Sequence, residues 1–498
     1  MASNSDSLAG SISKRVTGAV NSAKNSAGVH TVPAQINGRD THFAQSFEVI
    51  SPSTNKLLHH STAVSVADAI SAVGAAQAAF PAWRNTTATA RRDLFLKVAE
   101  VFERRSGEFA RIMREETGAP DIFATGFNIP LSRDILKDVA GRISSIEGSV
   151  PSLDEAGSSG HVYKEPYGVI LAIAPWNAPY ILGFRSVAYA IAAGNTAVLK
   201  ASEFTPRCSW AIGDCFREAG LPPGVLNVIA HRSSDAPVVT KALIEDPRVK
   251  KINFTGSTTT GRILAELAGK ALKPILLELG GKAPAIIWED ADVDLAAAEC
   301  AMGAFLNSGQ ICMSTERIIV HKNIAQEFEL KFKAAINEKW SNGGVVINRQ
   351  AAEKNKQLLE DAVTKGASLL HGEIETEEDS QTRMMPIVVK DVKPHMDLYH
   401  TESFGPSVSL IVIETEDEAL RVANDTEYGL TAAVFTEDLR RGLRFAKGIE
   451  AGAVHINAMS VHDETNLPHG GMKNSGYGRF GSVGLDEWVR TKAVTWKD

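Results

Sequence analysis

The sequence predicts an α/β protein of two lobes, each built on a mostly parallel sheet. Three observations carry this. The chain has 498 residues, more than a single core supports, so at least two packed lobes are expected. From Val169 onward, short apolar runs alternate with helical stretches, the rhythm of strands joined by crossover helices. After Leu279 the same alternation starts again, which marks the second lobe.

The first thirty or so residues are rich in Ser, Ala, Gly and Asn, with Lys14, Arg15 and Lys24 set against Asp6. Leu8, Ile12, Val16 and Val20 recur every fourth residue, so a weak amphipathic helix can form here. Either a flexible, partner-covering arm or a mitochondrial transit segment fits, although arginine is sparse for the latter. Helices are expected over 64–80, 87–117 and 131–145, where apolar residues fall at helical spacing. Strand 169–174, helix 180–193, strand 196–199, helix 205–219, strand 226–229, helix 234–244, strand 249–254 and strand 275–279 follow. The second lobe opens with strand 284–288, helix 292–306, strand 316–321 and helix 324–338. There is no solenoid repeat.

Composition narrows the function. Hydrophobic residues make up 44% and charged residues 22%, as in ordinary globular proteins. A net charge of -7 leaves no basic footprint for nucleic acid or an anionic membrane. No apolar run is long enough to span a bilayer. The four cysteines, Cys208, Cys215, Cys300 and Cys312, include no CxxC pair, which points to a reducing compartment, the cytoplasm first and the mitochondrion as the alternative. No cluster of residues has metal-ligand spacing.

Five features fall at strand ends, where ligands bind in open α/β sheets. Pro175-Trp176-Asn177 offers either an amide for a developing oxyanion or an ordinary turn. Lys200 with Glu203 is either a pair of ribose ligands or a solvated ion pair. Phe254-Thr255-Gly256-Ser257 precedes a helix. Its glycine can admit a pyrophosphate to the helix N-terminus, or the segment is a plain capped turn. Glu278-Leu279-Gly280-Gly281-Lys282 presents a general base or a bend between lobes. Gly309-Gln310-Ile311-Cys312 holds an activated thiol or a structural cysteine. Cys208 and Cys215 lie in a helix and Cys300 among Ala, Met and Leu, so the structural reading applies to them.

Taken in order, these motifs resemble the aldehyde dehydrogenase superfamily, in its NAD(P)-dependent, acid-forming branch. Glu402-Ser403-Phe404-Gly405-Pro406, Gly452–Asn457 and Pro468–Gly476 extend the likeness, which runs from about residue 45 to the C-terminus. The resemblance implies a Rossmann-like NAD-binding domain (41–146 and 168–278), a catalytic domain (279–487), oligomerisation strands (147–167 and 488–498) and an arm (1–40). It implies Cys312 as nucleophile, Glu278 as the base that activates water, and Asn177 as the oxyanion amide. Lys200 and Glu203 become adenine-ribose ligands, with Gly256 and Ser257 at the pyrophosphate and Trp176 beside the cofactor. Glu402 becomes the nicotinamide-ribose ligand, and Phe404 packs by the nicotinamide. One departure is Ala230–Asp235, which lacks the glycines usual at the adenosine side; NAD is the expected cofactor, with NADP open.

The run Ala178–Arg185 is most similar to the salicylaldehyde and vanillin dehydrogenase group, which implies an aromatic, hydroxylated benzaldehyde. Small Ala178 leaves room for a ring, and Ile311 and Met313 flank the thiol with apolar surface. Arg185 either binds a ring oxygen or pairs with a structural carboxylate. The alternatives are a broad aliphatic or semialdehyde dehydrogenase, a homologue that kept the fold and lost the chemistry, and an enzyme passing the thioester to another acceptor. Retention of Cys312, Glu278 and Asn177 argues against the last two. A homodimer or homotetramer is expected, built partly from His161–Glu165 and Lys492–Trp496.

Overall fold

The computed structural model describes residues 30–374 and 381–497, Ser482 in backbone only. The amphipathic repeat from Leu8 to Val20 lies outside the described residues.

Val169–Ile173, Thr196–Lys200 and Leu226–Ile229 are buried at every position. Strands covered on both faces read as unbroken apolar runs, which is why they were legible as a parallel sheet. The sheet has eight strands: Gly476–Tyr477, Ile275–Glu278, Val249–Thr255, Val169–Ile173, Thr196–Lys200, Leu226–Ile229, Ala34–Ile36 and Arg39–Thr41, in spatial order. The middle five pair in parallel. The parallel strands begin at Val169–Ile173, step outward through the next two strands, then return to the other side of the first at Val249–Thr255. Strand order therefore reverses between Val169–Ile173 and Val249–Thr255, and a crevice opens at their carboxyl ends.

Pro179–Ala192 fills the layer against this sheet, and every one of its residues is buried. A helix buried on every side, with only Arg185 and Ser186 polar among apolar and aromatic residues, belongs at the centre of a large core. Ala88–Arg104 and Ile129–Arg142 pack beside it through Phe95, Val98, Phe102, Ile135 and Val139.

The second lobe is a seven-stranded sheet in the order Ser368–His371, Ile387–Lys390, Ser407–Ile413, Thr315–His321, Ala283–Ile287, Thr431–Phe435, Ala453–Ile456. Only the first pair is antiparallel.

Four expectations are corrected. The helix predicted over 87–117 is two helices, Ala88–Arg104 and Ser106–Thr117, broken at Arg105 where ψ turns to 12°. The arm drawn to residue 40 ends sooner: Thr31–Val32, Ala34–Ile36 and Arg39–Thr41 are strands, and Val32 and Ala34 are buried. The segments expected to build the oligomer, His161–Glu165 and Lys492–Trp496, are already paired within one chain, where Ser158–Pro166 runs antiparallel to Val489–Lys497 over nine positions. Finally, the lobes are not divided cleanly at residue 279, because Gly476–Tyr477 joins the first sheet beside Leu277 and Glu278.

Candidate active site

Two loops leave the sheet at the reversal point. After Val169–Ile173 the chain turns through Pro175-Trp176-Asn177, and Pro179 starts the buried helix at a position where no backbone donor is needed. After Val249–Thr255 comes Gly256, where a Cβ would sit 2.5 Å from the Phe254 ring. Ser257 then caps Thr258–Lys270, its hydroxyl accepting from the Thr260 N–H at 3.3 Å. Gly256 and Ser257, at that helix N-terminus, line the crevice, where an anionic pyrophosphate is favoured.

These loops meet the second lobe around a cavity of about 220 Å³. Trp176, Asn177, Gly256, Ser257, Cys312, Glu402 and Phe404 all line it, so seven of the residues singled out in the sequence converge there. Lys354, which sequence reasoning missed, lines it too and donates to the Glu402 carbonyl at 2.8 Å. Trp176 and Phe404 meet edge to face at 5.7 Å, and Trp176 reaches Phe204 at 6.2 Å. On the far side of Phe204, Glu203 lines a second cavity of about 420 Å³ and accepts from the Ser233 hydroxyl at 2.8 Å. Lys200 is buried, and that burial lowers its pKa while nearby Glu203 opposes the shift. Two cavities joined at Phe204 and Trp176, a helix N-terminus lining one of them and a carboxylate in each suit a dinucleotide.

Cys312 is half-buried, whereas Cys208, Cys215 and Cys300 are buried. The turn that delivers it is strained: Asn307, Ser308 and Gly309 have φ of 51°, 57° and 71° in succession. Consecutive left-handed residues persist only where the surroundings over-determine them. Here Gln310 does so, donating to the carbonyls of Asn307 and Val345 and accepting from the Ile347 N–H. Asn177 donates its amide to the Gln310 carbonyl at 3.0 Å, which fixes the amide beside the thiol loop. Gly281 allows the opposite wall to close in: a Cβ there would lie 2.1 Å from the Cys312 carbonyl oxygen.

The Cys312 thiol faces Glu278, Sγ to Oε1 3.8 Å. Burial raises the thiol well above the usual cysteine range, and the charges of Glu278 and Glu402 add to it. For Glu278 itself burial alone would raise the pKa. The charge and hydrogen bond of His469, then Arg185, outweigh it and hold the carboxyl below its ordinary value. Glu402 accepts from the Gly281 N–H at 2.8 Å, and burial beside Glu316 pushes its carboxyl up to about 7.

The Glu402 loop has its own anchor. Glu316 accepts from the N–H groups of Ser403 and Phe404, holding Phe404 at φ 52°. Lys282 neutralises Glu316 at 2.5 Å and also donates to the Thr401 carbonyl at 2.7 Å. Lys282 stood in a quoted motif without a role; its burial explains it as the brace of this loop.

Of the residues expected at the substrate, Ala178, Ile311 and Met313 are buried in the core cluster against which Cys312 packs, and none of them lines the cavity. Arg185 pairs with Asp463, both side chains about 5% exposed, the carboxylate contact that was one of its two expected roles. Its second branch lies 3.9 Å from Glu278. Neither Asp463 nor His469, which donates to Glu278 at 3.0 Å, was singled out as a site residue. Among the described residues, no three His, Cys, Asp or Glu side chains gather as a metal site, and no helix is long and apolar enough to cross a membrane.

A dinucleotide crevice at a sheet reversal, ending on a thiol, an amide and a buried carboxylate, is the site of an oxidoreductase. The aldehyde dehydrogenase family profile matches residues 39–494. Vanillin dehydrogenase of Pseudomonas fluorescens is 41% identical over 476 residues, 93% of this chain and 97% of the relative. The crystal structure of a salicylaldehyde dehydrogenase from Pseudomonas putida G7 complexed with salicylaldehyde superposes with a TM-score of 0.91 at 38% identity, covering 94% of this chain and 98% of that one. An NAD-dependent aldehyde dehydrogenase from Sinorhizobium meliloti gives 0.90 at 34% identity over 94% and 95% of the two chains. This chain belongs to the aldehyde dehydrogenase family. Its cofactor is a nicotinamide dinucleotide.

Proposed function

We propose that the enzyme oxidises hydroxylated benzaldehydes to their acids with NAD, through a thioester on Cys312. The observation that carries the chemistry is the meeting of Cys312, Glu278 and Asn177 at one end of the crevice. Glu278 takes the thiol proton and releases it to solvent, and the sulfur bonds to the aldehyde carbon, leaving an oxyanion. Asn177 and the backbone N–H of Cys312 are the donors for that charge, and such preorganised donors are worth about 3 kcal/mol each. Nicotinamide, when bound, takes the hydride released as the C–H bond breaks. Glu278 then removes a proton from water, the oxygen bonds to the thioester carbon, the C–S bond breaks, and the sulfur is reprotonated.

The aromatic assignment is supported by the relatives named for vanillin and salicylaldehyde, and by the small Ala178 and apolar Ile311 and Met313. A buried ring contributes about 2 kcal/mol that a short aliphatic chain cannot. NAD is favoured because Glu203 would repel a 2′-phosphate. We read the enzyme as a homo-oligomer of a reducing, cytoplasmic compartment. All four cysteines are free, and a two-stranded ribbon bearing exposed Tyr163, Val494 and Trp496 is marginal alone. Steady-state kcat/KM for hydroxybenzaldehydes, acetaldehyde and hexanal, each with NAD and NADP, tests the reading; faster oxidation of hexanal than of any benzaldehyde would defeat the aromatic class. Light scattering checks the assembly, and a monomer at micromolar concentration would refute it.

A further inference from the structure

A histidine and an aspartate from one loop stand behind the base. His469 Nε2 lies 3.0 Å from Glu278 Oε1, and its Nδ1 lies 3.6 Å from Asp463 Oδ1. Asp463 also holds Arg185, whose other branch faces Glu278 Oε2 at 3.9 Å. Oε2 has no hydrogen-bond partner among the described residues. The only hydrogen-bond donors found at Glu278 are therefore His469 and the Cys312 thiol. An ionised carboxylate can only accept, so Nε2 must be the protonated ring nitrogen.

We propose that His469 is the positioning residue of Glu278, holding it as a carboxylate turned toward Cys312, with Asp463 supporting the imidazole from behind. This rests on the reading of Glu278 as the base of thioester hydrolysis. The lowered Glu278 pKa agrees, since His469 is the strongest influence acting against burial there. The other ionisable groups facing the imidazole are Arg185 from Pro179–Ala192, His455 from Ala453–Ile456, and His462 beside Asp463. Arg185 is held by Asp463 and stays 3.9 Å from Glu278, whereas His469 makes a direct hydrogen bond to it.

The test uses the full-length enzyme and two substitutions. In His469→Phe the base loses its donor, its pKa rises, and the acid limb of the kcat profile moves up by about one unit. Hydrolysis near neutrality slows about tenfold, while the hydride-transfer rate within the burst of reduced cofactor is kept and the burst amplitude grows. His469→Gln retains a donor and returns the limb most of the way to wild type. Should His469→Phe fail to fold, His469→Ala replaces it, with the same limb and burst expected. Loss of activity in the histidine variants with the limb unmoved, or with hydride transfer and hydrolysis falling together, overturns the proposal as a purely structural effect. Glu278→Gln is the control that separates the two ideas. If it shows no burst, the base assignment fails; if it shows one while the histidine variants keep the wild-type limb, only the role of His469 fails.

Discussion

Glu278 Oε1 lies 3.8 Å from the sulfur of Cys312, although the two residues come from different lobes. That contact brings the base within reach of both a thiol proton and a water attacking the sulfur-bound carbon. Cys312→Ala is expected to abolish turnover while leaving NAD binding, measured by calorimetry, unchanged. Cys300→Ala should keep nearly full activity, because Cys300 is buried in Val293–Phe305 and takes no part in the site. Inactivation by the Cys300 change alone would reverse the assignment.

Lys282 and Glu316 form a buried pair that fixes the backbone of Ser403 and Phe404. Lys282→Met leaves Glu316 without its counter-charge, and breaking such a pair costs about 3–5 kcal/mol. The folded fraction should show this in denaturant titration. The surviving enzyme should have a raised KM for NAD, since the Glu402 loop is no longer held. A stable variant with wild-type KM would remove the brace argument.

Arg185→Ala strands Asp463 in the same way and should destabilise by about 3 kcal/mol. Because its guanidinium is already committed, kcat/KM for benzaldehyde and for its hydroxylated derivatives should fall by similar factors. A loss confined to the hydroxylated substrates would restore Arg185 as a ring-oxygen ligand.

Glu402 titrates near neutrality, its carboxyl raised to about 7 by burial and by Glu316. A raised acid is protonated as pH falls through that value, so its acceptor strength toward a ribose hydroxyl is lost on the acid side. NAD affinity, followed by calorimetry across that range, should weaken as pH drops. Glu402→Gln should be weaker throughout and flat with pH. An unaltered pH dependence in that variant would place the titrating group elsewhere.

What the sequence made legible follows from how local each signal is. Val169–Ile173 and Thr196–Lys200 are buried on both faces, so composition alone marks them, and the residues that follow inherit a place at the crevice. Ala34–Ile36 and Gly476–Tyr477 are too short to show a period, and they join the sheet only through distant partners. Arg185 and Asp463 are 278 residues apart in the chain, so no spacing rule could pair them. His469 sits in a glycine-rich stretch that reads as a turn, and only tertiary contact makes it a neighbour of Glu278. The division at Arg105 was hidden because the helical pattern runs on through it.

The antiparallel contact of Gly476–Tyr477 with Leu277–Glu278 bears on biosynthesis. The strand that carries the base is bordered on its outer side by a segment translated almost two hundred residues later. A nascent chain can lay down the five parallel strands first, yet the edge beside the base stays open until Gly476 and Tyr477 are made. The strand that carries the base thus gains its outer neighbour only after every strand of the second sheet has been made.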